Sequence, residues 1–176
     1  MSSGWGHALG ETALTILVPE ADPLMREDFP AHVSVLFPFL HEGHVDDSVR
    51  RRLGELVRGH EPFELTFAEF GRYPGVLYLE PWPADPLRAL TKSVVAAWPE
   101  CAPYGGIFGE AGLAPHLTLA NSAGPDTADA AYDALERELA PRLPLTVTVR
   151  EVTLVTWDGQ AWRSTRSFPL GTDGTR

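Results

Sequence analysis

Pro30-Ala31-His32-Val33-Ser34-Val35 is echoed 84 positions later by Ala114-Pro115-His116-Leu117-Thr118-Leu119. Both stretches are short and apolar, and the first carries the β-branched residues typical of strands. Successive side chains on a strand alternate between its two faces. His32 and Ser34 therefore point one way, and Val33 and Val35 the other. His116 and Thr118 stand in the same relation to Leu117 and Leu119. Each strand offers a histidine and a hydroxyl together on one face, and an apolar pair on the face turned to a core.

Working outward, the neighbourhoods of the two strands match as well. After the first comes a helix over Asp46 to Arg58, whose apolar Val49, Leu53, Leu56 and Val57 form one stripe. Asp46 or Asp47 suits its start and Gly59 its end. Phe63–Phe70 and Val76–Leu79 then form a hairpin around Arg72-Tyr73-Pro74-Gly75. After the second strand, Pro125-Asp126 opens a helix with Tyr132, Leu135 and Leu139 on one side. A hairpin follows, with one strand over Leu145–Trp157, a turn at Asp158-Gly159 and a return over Ala161–Phe168. Leu145 follows Phe63 by 82 positions, close to the spacing of the histidines, so the chain reads as an internal duplication. Thr12–Val18 adds a strand, and Asp85-Pro86 starts a further helix with the carboxylate as its cap and Leu87, Leu90, Val94 and Trp98 as its stripe. No linker separates the halves. The expected fold is α+β and bilobal: two pseudo-twofold-related lobes of antiparallel sheet plus helix around a central cleft, forming one domain over residues 1–176.

Composition narrows the function. The 176 residues carry a net charge of −10, with 14 Lys and Arg against 24 Asp and Glu. Binding a long nucleic acid draws most of its affinity from phosphate neutralisation, so this balance disfavours such a partner. A small phosphorylated ligand needs only a few aimed donors. The one cysteine, Cys101, excludes an intrachain disulfide and a cysteine-based zinc site. No apolar run approaches the roughly 20 residues needed to span a bilayer, and Met1–Gly10 does not read as a signal peptide. The expected setting is cytoplasmic, with no membrane partner.

A pseudo-twofold axis would bring the two chemical faces together: two imidazoles and two hydroxyls around one point. That set suits cleavage of a phosphodiester. A neutral imidazole takes a proton from the attacking oxygen and an imidazolium gives one to the leaving oxygen; histidine, with a pKa near 6.5, serves either task. The hydroxyls of Ser34 and Thr118 hold non-bridging oxygens. No metal or cofactor is required. The plainer reading of each histidine alone is structural or exposed, and the repetition is what favours chemistry.

Other candidates each carry two readings. Tyr104, in the glycine-rich loop from Pro103 to Gly112, suits stacking on a base or a turn. Phe37 suits a stacking platform or the core. Arg72 and Arg163, on the equivalent hairpins, suit contact with phosphate or a solvated surface. His41 and His44 lie close in sequence but precede a helix, and no third metal ligand is in view. His7 and His60 read as incidental. Asp126, Asp129, Asp133 and Glu136 read as a solvated helix face, and Gly105, Gly106 and Gly109 lack the strand-to-helix context of a nucleotide-binding loop.

His32-Val33-Ser34 and His116-Leu117-Thr118, with their flanks, resemble the paired HxT/S signatures of the 2H phosphoesterase superfamily and are similar to its bacterial branch of 2′-5′ RNA ligase-like proteins. The resemblance spans about Leu14 to Leu170. Ser34 stands where Thr is commoner and keeps the hydroxyl. The resemblance implies a bilobal α+β fold with a central cleft, and 2′,3′-cyclic phosphodiesterase chemistry, sometimes reversible as 2′-5′ ligation. The expected ligand is a small nucleotide or an RNA end bearing a cyclic phosphate. Two alternatives stay open: a non-RNA phosphodiester such as a cyclic nucleotide, a cyclic ADP-ribose phosphate or a biosynthetic intermediate, and a nucleotide-binding module without turnover.

Overall fold

A computed structural model describes residues 7–26, 29–107, 114–121 and 125–171, with side chains of the last segment described from residue 130 onward. Eight strands form one curled antiparallel sheet: β1 (Thr12–Leu17), β2 (His32–Leu36), β3 (Phe63–Tyr73), β4 (Val76–Trp82), β5 (Leu117–Ala120), β6 (Leu145–Val149), β7 (Glu151–Trp157) and β8 (Trp162–Pro169). Among the described residues three α-helices accompany it: α1 (Asp47–Arg58), α2 (Asp85–Ala97) and α3 (Pro125–Leu139). None of the described helices is long and apolar enough to cross a membrane.

The strand order is β6-β3-β4-β5-β2-β1-β7-β8. The two motif strands, β5 and β2, lie side by side at the centre. Read outward from that seam, one half runs β5, β4, β3, β6 and the other β2, β1, β7, β8. The pseudo-twofold expectation survives, with a correction to its bookkeeping. The counterpart of β4 is β1 rather than β8, so the second unit is closed by the chain's first strand.

A second correction concerns Leu145–Trp157, expected as one strand. It divides at Arg150. Residues 145–149 pair with β3 in one half, and residues 151–157 pair with β1 and β8 in the other. The physical reason is a change of phase. Val147 and Val149 join the hydrophobic core from odd positions, whereas Val152 and Leu154 join it from even ones. A single strand cannot keep both sets on one face.

The core lies between the sheet and its helices. Val33, Leu117 and Leu119 are fully buried, as are Leu53 and Val57 of α1 and Leu90 of α2. Each such side chain contributes about 1.5–3 kcal/mol. Asp46 caps α1 by accepting from the Val49 amide at 2.9 Å. Asp85 does not cap α2: it lies inside the first turn, the flanking residue is Ala84, and Pro86 needs no amide partner there. Thr91 of α2 donates to the Val35 carbonyl at 2.6 Å, which ties this helix to the back of β2.

Candidate active site

The seam between β2 and β5 is set by one pairing, Val33 with Leu117. Both side chains are buried, so their neighbours turn to the opposite face, where His32, Ser34, His116 and Thr118 are each half-buried. Carrying the antiparallel register one residue each way puts His32 opposite Thr118 and Ser34 opposite His116. The four form a square with the histidines on one diagonal. Diagonal neighbours in such a ladder lie about 7–8 Å apart, which leaves room for a phosphate between two imidazoles.

Each histidine is held in the same way. His32 Nδ1 lies 2.9 Å from the Pro30 carbonyl, and His116 Nδ1 lies 2.8 Å from the Ala114 carbonyl. A carbonyl only accepts, so Nδ1 carries the hydrogen in both rings and Nε2 is the exchanging nitrogen. Burial pushes both imidazoles below the ordinary histidine pKa, and the carbonyl bonds oppose part of that shift. His32 is lowered further by the charge of His116, so the two rings sense each other across the square.

The walls are aromatic. Tyr73 meets His116 edge-on at 5.4 Å between ring centroids, and Tyr78 lies tilted against it at the same 5.4 Å. The two tyrosine rings are 4.7 Å apart. Burial first, and then its tyrosine neighbours, push the Tyr73 hydroxyl up to about 12, so it remains a hydrogen-bond donor through the neutral range. Phe29 packs 5.5 Å from His32. Neither Tyr73 nor Tyr78 stood out in the sequence as a site residue. The signal for Tyr78 was available: it alternates with the fully buried Leu77 and Leu79, and so must face the histidine side. Tyr73 was expected in a turn, but β3 continues to it.

The other candidates divide. Phe37 and Tyr104 come together, with rings 5.9 Å apart and the Tyr104 amide donating to the Phe37 carbonyl at 2.6 Å. Trp162 and His7 join this aromatic group, at 6.0 Å and 5.9 Å from Phe37, and Trp157 packs against both. Tyr104 adopts a left-handed φ of 52°. It lies near enough to Tyr73 for charge on one to disfavour charge on the other. Gly109 and Gly112 of that loop, and the side chains of Asp126 and Asp129, lie outside the described residues.

The structure does not bring the two arginines to the histidines. Arg72 alternates with Gly71 and Tyr73 and turns to the other face. There it donates to Glu136 of α3 at 2.9 and 2.7 Å and to Asp133 at 2.8 Å. Asp133 and Glu136 thus hold an ion pair. Arg163 donates to Asp158 at 2.7 Å beside the β7–β8 turn. Four further arginines, Arg50, Arg51, Arg58 and Arg166, line a groove of about 430 Å³ between α1 and β8. His41 bonds the Leu9 carbonyl through Nε2 and the Gly43 amide through Nδ1, and His60 bonds Ser93. No group of three or more His, Cys, Asp or Glu placed to hold a metal occurs among the described residues.

Comparison with known proteins agrees with this fold. Residues 12–161 match the model of the 2′-5′ RNA ligase superfamily. Among solved structures, the Thermus thermophilus protein TT0787 superposes with a TM-score of 0.61 at 20% identity, covering 93% of this chain and 100% of that one. Escherichia coli LigT complexed with 3′-AMP superposes with a TM-score of 0.60 at 18% identity, covering 94% and 100%. LigT complexed with ATP gives 0.56 at 14% identity, again covering 94% and 100%. At these identities the likeness is one of fold. No curated protein sequence matches the chain.

Proposed function

The chain belongs to the 2′-5′ RNA ligase superfamily, and from that premise we propose that it is a metal-independent phosphodiesterase acting on 2′,3′-cyclic or 2′-5′ phosphodiesters of small nucleotides or RNA ends. The observation that carries this reading is the square set by Val33 and Leu117: two imidazoles on one diagonal, two hydroxyls on the other. His116 Nε2 takes a proton from water as its oxygen attacks phosphorus. His32 Nε2 gives a proton to the departing ribose oxygen. Ser34 and Thr118 donate to the non-bridging oxygens and keep phosphorus in line between the rings. With a ribose 5′-hydroxyl in place of water, the same steps open the cyclic phosphate, release its 3′-oxygen and form a 2′-5′ bond; taken backward, they break that bond and restore the cyclic phosphate.

The engagement of Arg72 and Arg163 elsewhere favours a small ligand over a long phosphate backbone. The complex of E. coli LigT with 3′-AMP supports a nucleotide in the cleft. A cytoplasmic setting and a single bilobal working unit complete the proposal. The test is incubation of the purified protein with 2′,3′-cyclic AMP in the presence of EDTA, followed by chromatography. Accumulation of a nucleoside monophosphate, lost in His116→Ala, is expected. An unchanged cyclic nucleotide together with turnover of a non-nucleotide cyclic phosphodiester would move the substrate to the second reading.

A further inference from the structure

Trp82 is 71% exposed, more than any other large hydrophobic side chain among the described residues. Tryptophan has the largest apolar area to hide, and the chain leaves it in water. It contributes nothing to the buried core, and no ring or hydrogen-bond partner for the indole occurs among the described residues. Its place in the sheet is specific. On β4, Leu77, Leu79 and Pro81 are buried, so Tyr78, Glu80 and Trp82 share the face that carries the histidines. Tyr78 pairs with Thr118 and Leu79 with Leu117. The ladder ends at Leu79 and Leu117, and beyond it β4 runs on through Glu80 to Trp82, toward the segment that leads from Leu117 back through His116 to Ala114, the residue whose carbonyl holds His116 Nδ1. Trp82 thus stands at the His116 end of this seam, on the histidine face. Among the described residues, the matching strand of the other half carries no aromatic side chain at this place. That strand, β1, presents the aliphatic Leu17 opposite His32 and ends there.

We propose that the Trp82 indole is a stacking platform for the nucleobase of the substrate, on the His116 side of the cleft. This rests on the phosphodiesterase reading above and narrows it: the substrate carries a flat aromatic ring attached close to the scissile phosphate. Stacking accepts any base, because every base has a π-face. It also orients the substrate, since the exposed indole stands on the His116 side, whereas the ring beside His32, that of Phe29, packs on the imidazole itself. The indole lies outside the core, so its removal leaves folding intact.

The experiment compares Trp82→Ala, Trp82→Phe and the wild type. The first readout is the ratio of kcat/KM for 2′,3′-cyclic AMP to that for glycerol 1,2-cyclic phosphate, which has no ring. Trp82→Ala is expected to lower this ratio about 10- to 100-fold through KM, and Trp82→Phe to restore most of it. Leu9→Ala, which removes another strongly exposed apolar side chain, is expected to leave the ratio unchanged. An unaltered ratio in Trp82→Ala overturns the proposal. The second readout is calorimetric binding of 3′-AMP, which needs no turnover. Weaker binding by Trp82→Ala in a protein that hydrolyses neither substrate would retain the platform and refute the phosphodiesterase reading. Equal binding by wild type and Trp82→Ala would refute the platform whatever the activity.

Discussion

Gly71 lies directly opposite Tyr78, and the Tyr78 ring fills the space that a β-carbon at position 71 would need. The tyrosine that walls His116 therefore depends on a missing side chain one strand away. Gly71→Ala should displace Tyr78 and cost about 1–3 kcal/mol of stability, the usual penalty of overpacking. Urea denaturation of Gly71→Ala, Tyr78→Ala and the double variant measures it. The double variant is expected to recover most of the loss from Gly71→Ala, because residues in contact are not additive. Full additivity would mean that the ring does not rest on Gly71.

Replacing either His32 or His116 with Ala should lower kcat by a factor on the order of 10² to 10⁴, the usual contribution of a general acid or base. The double replacement should be little worse than the worse single one. Ser34→Ala and Thr118→Ala should cost less, since each removes a hydrogen bond and no proton transfer. Near-normal turnover by both single histidine variants would remove the pair from the mechanism.

Activity against pH should be bell-shaped, because one imidazole must be neutral while the other is charged. Burial lowers both, so the optimum of kcat/KM is expected on the acid side of the ordinary histidine value of about 6.5. The same shifts make folding pH-dependent. Between about 6.5 and the lower folded-state values, the unfolded chain binds more protons than the folded one. Stability should thus be full above that window and decline as pH falls through it. Thermal melts of wild type and a His32→Ala, His116→Ala double variant across this range check the sign: the wild type should lose more on acidification.

Arg72→Ala should act on stability and spare the chemistry. Its guanidinium makes paired bonds to Glu136 and another to Asp133, holding α3 against β3 from the face away from the histidines. The pair is partly solvated, with 27% and 31% of the two side chains exposed, so a loss of about 1 kcal/mol is expected. A rise in KM without a shift in denaturation midpoint would return Arg72 to the substrate.

The sequence carried the centre of the fold best, because the repeated tetrad encodes both a strand and its facing in four residues. What it could not carry was partnership. Thr12–Val18 reads as a strand, but nothing local says that it completes the second half in place of β8. The phase change at Arg150 was present in Val147, Val149, Val152 and Leu154, and a continuous apolar run hid it. The placement of Arg72 was hidden for a related reason. Arg72 and Tyr73 are neighbours in the chain, and only the extension of β3 through both places one on the helix side and the other against His116. Trp82 gave no sequence signal, since exposure is a property of the assembled sheet.

The matched bonds from Nδ1 to the carbonyls of Pro30 and Ala114 have a consequence for the reaction cycle. They freeze one nitrogen of each ring, so each histidine has a single site that fills or empties. In the proposed cycle the product leaves with those sites inverted: His116 holds the proton that water gave up, and His32 has lost its own. No side chain has moved. The protein is at that moment primed to run backward. Another forward turn waits for solvent to re-load one imidazole and unload the other. A turnover rate that climbs with buffer concentration, at fixed pH and ionic strength, would be the outward sign of that reset.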